Sequence, residues 1–186
     1  MKQFISLIAF TCIVLCANAQ QKPTDLDKSI LDISYSPANY PILKMNGRVK
    51  GDPFARVIYS RPLKSNRLIF GGIIKYGEMW RLGANETTEI EFFKNARLGD
   101  KKIVKGRYSL FCIPYEDKWT VIVNKDNFSW GNFTYDSRKD VARISIPVQR
   151  TDDSAEAFTM YFEETSNGSN LVMMWENTKA VLPINF

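Results

Sequence analysis

The sequence predicts an all-β fold. The expected form is an antiparallel β-sandwich, jelly-roll or Ig-like in type or a partly closed barrel, with one long Gly-rich loop. Three observations carry this. Apolar and polar residues alternate in short runs bounded by Gly, Pro, Asn and Asp. The runs recur about every 8–12 residues, the spacing of short strands joined by turns. No stretch after residue 20 sustains a 3.6-residue apolar period for three turns.

The elements follow in order. Residues 55–60 (ARVIYS) form a strand stopped by Arg61-Pro62, since proline cannot donate to a ladder. In residues 87–93, Ile90 and Phe92 share one face while Glu89 and Glu91 share the other. Residues 96–98 and 101–104 flank a Gly99-Asp100 turn, and Lys105-Gly106 makes the next. Residues 107–113 are rich in β-formers and end at Pro114. Residues 119–124 (WTVIVN), 141–148, 158–164, 170–176 and 179–184 complete the set, with Asn167-Gly168 as a hairpin signal. One-turn helical pieces are expected near residues 73–80 and 137–141. Residues 110–113 and 171–175 are apolar on both faces and need cover on both sides. The loop of residues 63–85 is the expected cover.

The N-terminus predicts export. Lys2 gives a positive start, residues 4–17 (FISLIAFTCIVLCA) are uncharged and apolar, and Ala17-Asn18-Ala19 places small residues before Gln20. The apolar run is shorter than the roughly 18–20 residues of a membrane span. Residues 1–19 are therefore a signal peptide cleaved after Ala19, residues 20–28 a flexible leader, and residues 29–186 one β-sandwich domain. The expected address is periplasm, outer envelope or secreted, with no transmembrane segment after cleavage. Leu15 before Cys16 argues against a lipoprotein, whose signal wants a small residue there.

Composition closes several chemistries. The chain of 186 residues has no histidine, which removes the commonest general base and metal ligand. Two of its three cysteines, Cys12 and Cys16, leave with the signal, so Cys112 has no internal disulfide partner. No metal or cofactor is expected; Asp136, Asp140, Asp152 and Asp153 read as solvated loop carboxylates rather than a calcium site. Cys112, between Phe111 and Ile113, reads as a buried inert thiol. The net charge of +5 comes without a dense Lys/Arg block, so no nucleic-acid face is expected.

Residues 61–89 (RPLKSNRLIFGGIIKYGEMWRLGANETTE) form the longest stretch between strands, and long loops often carry function. Ile69-Phe70-Gly71-Gly72 and the run from Tyr76 through Trp80-Arg81-Leu82-Gly83-Ala84-Asn85-Glu86 to Ile90 resemble the signature of the domain of unknown function 2911 family. Residues 105–114, Trp119 to Lys125, Trp130-Gly131 and Tyr135-Asp136 fit the same family. The resemblance spans roughly residues 53–185. It implies an exported protein of Bacteroidetes-type bacteria and no particular activity. Residues 30–53 are longer and more irregular than the family pattern, and the helical C-terminal extension of some relatives is absent.

Two readings of this loop remain open from the residues. Arg81 pairs with Glu78 or Glu86 and locks the loop while Asn85 caps a turn; or the loop is a ligand site. As a site, Arg61 or Arg81 offers a planar fork to a carboxylate or phosphate. Trp80 and Tyr76 offer a stacking face to a sugar, and Glu78 and Glu86 accept hydroxyl hydrogen bonds. No catalytic residue is assigned. The functional expectation is an exported β-sandwich module that binds a glycan or an envelope protein, or is structural. The alternative is a carboxylate-based hydrolase acting on glycans, which requires Glu78, Glu86 and Glu89 to converge on one cleft. Phe128, Trp130, Phe133 and Tyr135 are expected to plug the end of the sandwich, the alternative being an exposed patch. Asp153-Ser154-Ala155 resembles a short envelope O-glycosylation acceptor or is an ordinary loop.

Overall fold

A computed structural model describes residues 25–186. The expected signal peptide, residues 1–19, and residues 20–24 of the expected leader lie outside them. Nine strands form one antiparallel sheet that is not closed into a barrel. In chain order they are β1 (Ile30–Ser36), β2 (Ala55–Arg61), β3 (Glu89–Phe92), β4 (Ala96–Leu98), β5 (Lys101–Ile103), β6 (Gly106–Pro114), β7 (Lys118–Asn124), β8 (Asp140–Thr165) and β9 (Gly168–Asn185). Their order across the sheet is β1-β2-β3-β6-β7-β8-β9-β4-β5.

The all-β expectation holds, and the departures have local causes. Residues 141–148 and 158–164 are one strand, β8. Its first part pairs with β7 and its remainder with β9. The register slips between Arg150 and Ala155 and again before Thr159, so the polar run from Asp152 to Ser154 is a bend inside the strand and not a separate loop. β9 likewise merges two expected strands, with Glu176 in the left-handed region (φ 52°) at the opposite slip. These bends let one sheet fold over on itself around one core. The hairpin between them turns at Ser166-Asn167, with Thr165 opposite Gly168. A side chain at 168 would strike the carbonyl of Ile184 at 2.0 Å.

Two elements were not anticipated. β1 is an edge strand whose Ile30, Leu31 and Ile33 are exposed, so it lacks an inside–outside pattern. Helix α1 (Tyr40–Met45) spans six residues, too few for a periodic signal; Pro41 in its first turn is the only cue. The expected helical turn near residue 137 is a 3-10 turn, Ser137–Lys139, whereas residues 73–80 form turns and two isolated bridges, at Ile74 and Trp80, not a helix.

The core joins inward residues of both halves of the sheet: Val57 and Tyr59 from β2, Leu110 and Cys112 from β6, Trp119 and Val121 from β7, Phe158 and Met160 from β8, Met173 and Trp175 from β9. The double-sided cover comes from a different place than expected. On the outer face of β6, Phe111 is covered by Tyr135, ring centroids 5.0 Å apart. The loop of residues 63–85 does not cover that face; it sends Ile69, Phe70, Trp80 and Leu82 into the interior.

Cys112 is fully buried, and burial pushes its thiol well above the ordinary value. In the native protein a thiol-specific reagent should therefore leave it unlabelled at pH 7–9 for as long as the fold persists. Labelling as fast as that of a model thiol would contradict this placement.

Candidate functional site

The long loop is fastened to the sheet along one strand. Beyond β3, the β6 backbone has unfilled positions, and the loop fills them. Leu110 N–H donates to Thr88 O at 2.8 Å, and Gly77 N–H to Pro114 O at 2.9 Å. Between these, Trp80 and Cys112 exchange both backbone bonds, at 2.7 and 2.8 Å. Residues 81–87 thus bulge out of an interrupted ladder. The bulge is tied internally by Thr88 N–H to Arg81 O (3.2 Å), Thr88 Oγ1 to Leu82 O, and Trp80 Nε1–H to Gly83 O (3.1 Å). These bonds hold Leu82 and Asn85 in the left-handed region, φ 54° and 58°. The glycines permit close approach earlier in the loop: a Cβ at Gly72 would lie 2.2 Å from Leu68 O.

Trp80 is the anchor. It is 4% exposed, stacks on Trp175 (centroids 5.9 Å, 22°) and meets Trp119, Phe158 and Phe70 edge-on. Aromatic pairs of this kind add about 0.5–1.5 kcal/mol each beyond burial. Its ring has no open face for a ligand. Tyr76 packs against the same core, its ring lying over Gly71.

Arg81, the next residue, points the other way, as adjacency on an extended chain requires. The expected pair with Glu78 or Glu86 is not formed: among the described residues Arg81 has no ion pair, and its buried Nε has no hydrogen-bond partner. Burial alone holds its pKa below the ordinary value. The lock is therefore the indole and the backbone, not an Arg–Glu pair. Arg61 behaves oppositely. Its guanidinium is spent on Asp32 (3.2 Å), Thr159 Oγ1 (2.9 Å) and Phe158 O (3.3 Å), clipping β1 and β2 to β8. Asn85 donates from Nδ2 to Asp27 at 2.9 Å, tying down the described end of the leader.

A second loop, between β7 and β8, is laced onto the first. Thr87 N–H donates to Ser129 O (2.9 Å), Gly131 N–H to Asn85 O (2.9 Å), Asn132 Nδ2 to Met79 O (2.8 Å) and Phe128 N–H to Glu89 Oε1 (3.0 Å). Tyr135 anchors its far end. The hydroxyl donates to Asp140 Oδ2 at 2.7 Å and accepts from Arg143 Nη2 at 2.6 Å, while Asn124 Nδ2 reaches Asp140 Oδ1 at 2.7 Å. Burial and the Asp140 carboxylate push the Tyr135 phenol up to about 12. Asp136 is held by Arg138, which lowers its pKa to about 2.

The aromatic run was expected to plug the fold, and only Tyr135 turns inward. Phe128, Trp130 and Phe133 are 82%, 60% and 81% exposed. Sequence alone gave no sign of which ring would bury, since that depends on Phe111 waiting on a distant strand. Between this loop and β1–β2 lies a groove of about 300 Å³ lined by Leu31, Ile58, Glu86, Thr87, Glu89 and Phe128 among others. A separate hollow of about 160 Å³ lies at Lys75, Glu78, Arg81 and Asn132. Glu78 therefore faces one depression while Glu86 and Glu89 face the other, so the three carboxylates do not converge. Glu89 is already engaged by Phe128 N–H and, at 3.7 Å, by Arg107. Leu31 and Ser129 join the site without having been singled out by motif or spacing, and Phe128 joins it from the aromatic run.

Trp80→Ala should cost about 3–5 kcal/mol, the range for removing a buried aromatic. Arg81→Ala should leave the melting temperature nearly unchanged, because no bond or ion pair is lost. Thermal melts of the two variants check this; the reverse ranking would contradict the assignment of roles.

No curated protein and no solved structure matches the chain. A family model described as protein of unknown function, DUF2911, matches residues 42–184, which take in both loops, every strand from β2 to β8 and all but the last residue of β9. The chain belongs to the DUF2911 family.

Proposed function

We propose that the protein is an exported, non-catalytic binding module that takes a glycan on the exposed rings of Phe128, Trp130 and Phe133, beside the groove that Phe128 lines. One observation carries the reading: Phe128, Trp130 and Phe133 stand exposed on a loop whose backbone is fixed from both ends. Exposed apolar rings on a rigid support mark interaction surfaces. A sugar matches them chemically, with its C–H face against a ring and its hydroxyls toward nearby acceptors. Glu86, exposed at the groove, supplies such an acceptor. Glu89 is committed to Phe128 and Arg107, so the groove presents one open carboxylate rather than the pair that glycoside hydrolysis uses. The signal-like residues 1–19 support export, and mass spectrometry of the exported protein should find its N-terminus at Gln20; an intact Met1 would contradict it.

Of the four tryptophans, Trp80, Trp119 and Trp175 are buried and Trp130 alone is exposed. A fluorescence titration against a panel of neutral and acidic oligosaccharides should therefore report on Trp130. Trp130→Ala and Phe128→Ala should each weaken binding by about 1 kcal/mol or more, with little change in melting temperature. Absence of binding across the panel, or full affinity in both variants, would refute the glycan reading.

A further inference from the structure

We propose that the exposed rings and the depressions on either side of them form one strip for a linear, uncharged polysaccharide chain; this rests on the glycan reading and names its ligand. The second loop borders both depressions. Phe128 and Ser129 line the groove of about 300 Å³, and Asn132 lines the hollow of about 160 Å³. The other two exposed rings join them. Trp130 is bridged through its backbone to Glu86, a residue of the groove. Phe133 stands toward the hollow: a Cβ at Gly131 would sit 3.0 Å from the Phe133 ring and 3.8 Å from Nη1 of Arg81, a residue of the hollow. A ligand that uses both depressions therefore crosses the rings.

The spacing of the rings and the charges beside them define the ligand. Among the described residues none of Phe128, Trp130 and Phe133 packs against another aromatic ring. Rings held apart do not form a cage around one sugar; each offers its own stacking face to a separate unit of a chain. Three carboxylates border the strip, Glu78, Glu86 and Glu89, against three cations, Lys75, Arg81 and Arg107, the last lying over the Phe128 ring. Three against three leaves no net charge, so no field of one sign draws in a polyanion. Hydroxyls suit such a border, because each both donates and accepts. Glu78 and Glu86 are exposed and, among the described residues, in no ion pair, so one open acceptor stands at each end. The strip is also set before a ligand arrives. Asn132 Nδ2 donates to Met79 O at 2.8 Å and Gly131 N–H to Asn85 O at 2.9 Å, which fixes the rings against both depressions and lowers the cost of binding.

The test is calorimetric titration with β-1,4-linked oligomers of glucose, mannose and xylose, from the single sugar to the hexasaccharide, with oligogalacturonates of the same lengths as the acidic comparison. For a neutral series, affinity should rise about two- to tenfold with each further ring engaged and level off once the chain spans the strip. The oligogalacturonates should bind more weakly at every length. Glu78→Ala and Glu86→Ala should each weaken the hexasaccharide about threefold or more, with unchanged melting temperature. The disaccharide, too short to reach both depressions, should lose affinity in one of these variants at most. Absence of binding at every length in every series would refute the glycan reading and this assignment with it. A single sugar bound as tightly as the hexasaccharide would leave the glycan reading standing and overturn the extended chain. Full hexasaccharide affinity in both Glu variants would overturn the joining of the two depressions. Tighter binding of the oligogalacturonates would overturn the uncharged ligand.

Discussion

Everything on the surface of this protein that looks functional hangs from one indole. Trp80 sits among Phe70, Trp119, Phe158 and Trp175, so it is packed by side chains from the loop, from β7, from β8 and from β9. Its backbone completes the β6 ladder at Cys112. The ring supplies burial, and the ladder supplies direction. Neither alone would hold a loop of this length in one place, because ordering each residue costs about 1–2 kcal/mol of backbone entropy. Together they turn a long insertion into an extension of the sheet.

From that anchor the rest follows by chain geometry. Fixing Trp80 inward sends Arg81 outward. Fixing Thr88 at Leu110 forces residues 81–87 into a tight bulge with two left-handed residues that are not glycine. The bulge then presents Asn85 and Thr87 to the second loop, whose Ser129 and Gly131 complete the bonding. Asp140 secures the other end through Tyr135. The exposed rings of Phe128, Trp130 and Phe133 thus stand on a loop that the first loop braces. That arrangement suits a preformed surface, for which binding does not first require ordering the loop.

Much of this was legible in the sequence, and the exceptions share a cause. Alternation located the strands from β2 to β9 because half-buried strands write their geometry locally, in neighbours two apart. It missed β1, an edge strand whose apolar residues face outward as well as inward, and it split β8, where polar residues mark a bend without leaving the sheet. The loop motif was correctly seen as the unusual feature. Which of its residues lock and which face solvent was not readable, because an indole followed by an arginine is compatible with either orientation. The decision was made by Trp119, Phe158 and Trp175, far away in the chain. The same holds for the aromatic run, where Tyr135 goes in because Phe111 and Asp140 are there to receive it. Ion pairing is hard to read for the same reason: Arg61 found Asp32, on a strand that alternation had missed, while Arg81 found no carboxylate at all.

The central claim is that the loop is part of the folded core rather than a cover laid over it. Native-state hydrogen exchange measures this directly. The amides of Trp80 and Thr88 and the indole Nε1–H of Trp80 should exchange only through global unfolding, with the same protection free energy as Leu110 and Cys112 on β6. Exchange of Trp80 and Thr88 through a low-energy local opening, while Val121 and Ile122 on β7 stay protected, would contradict it.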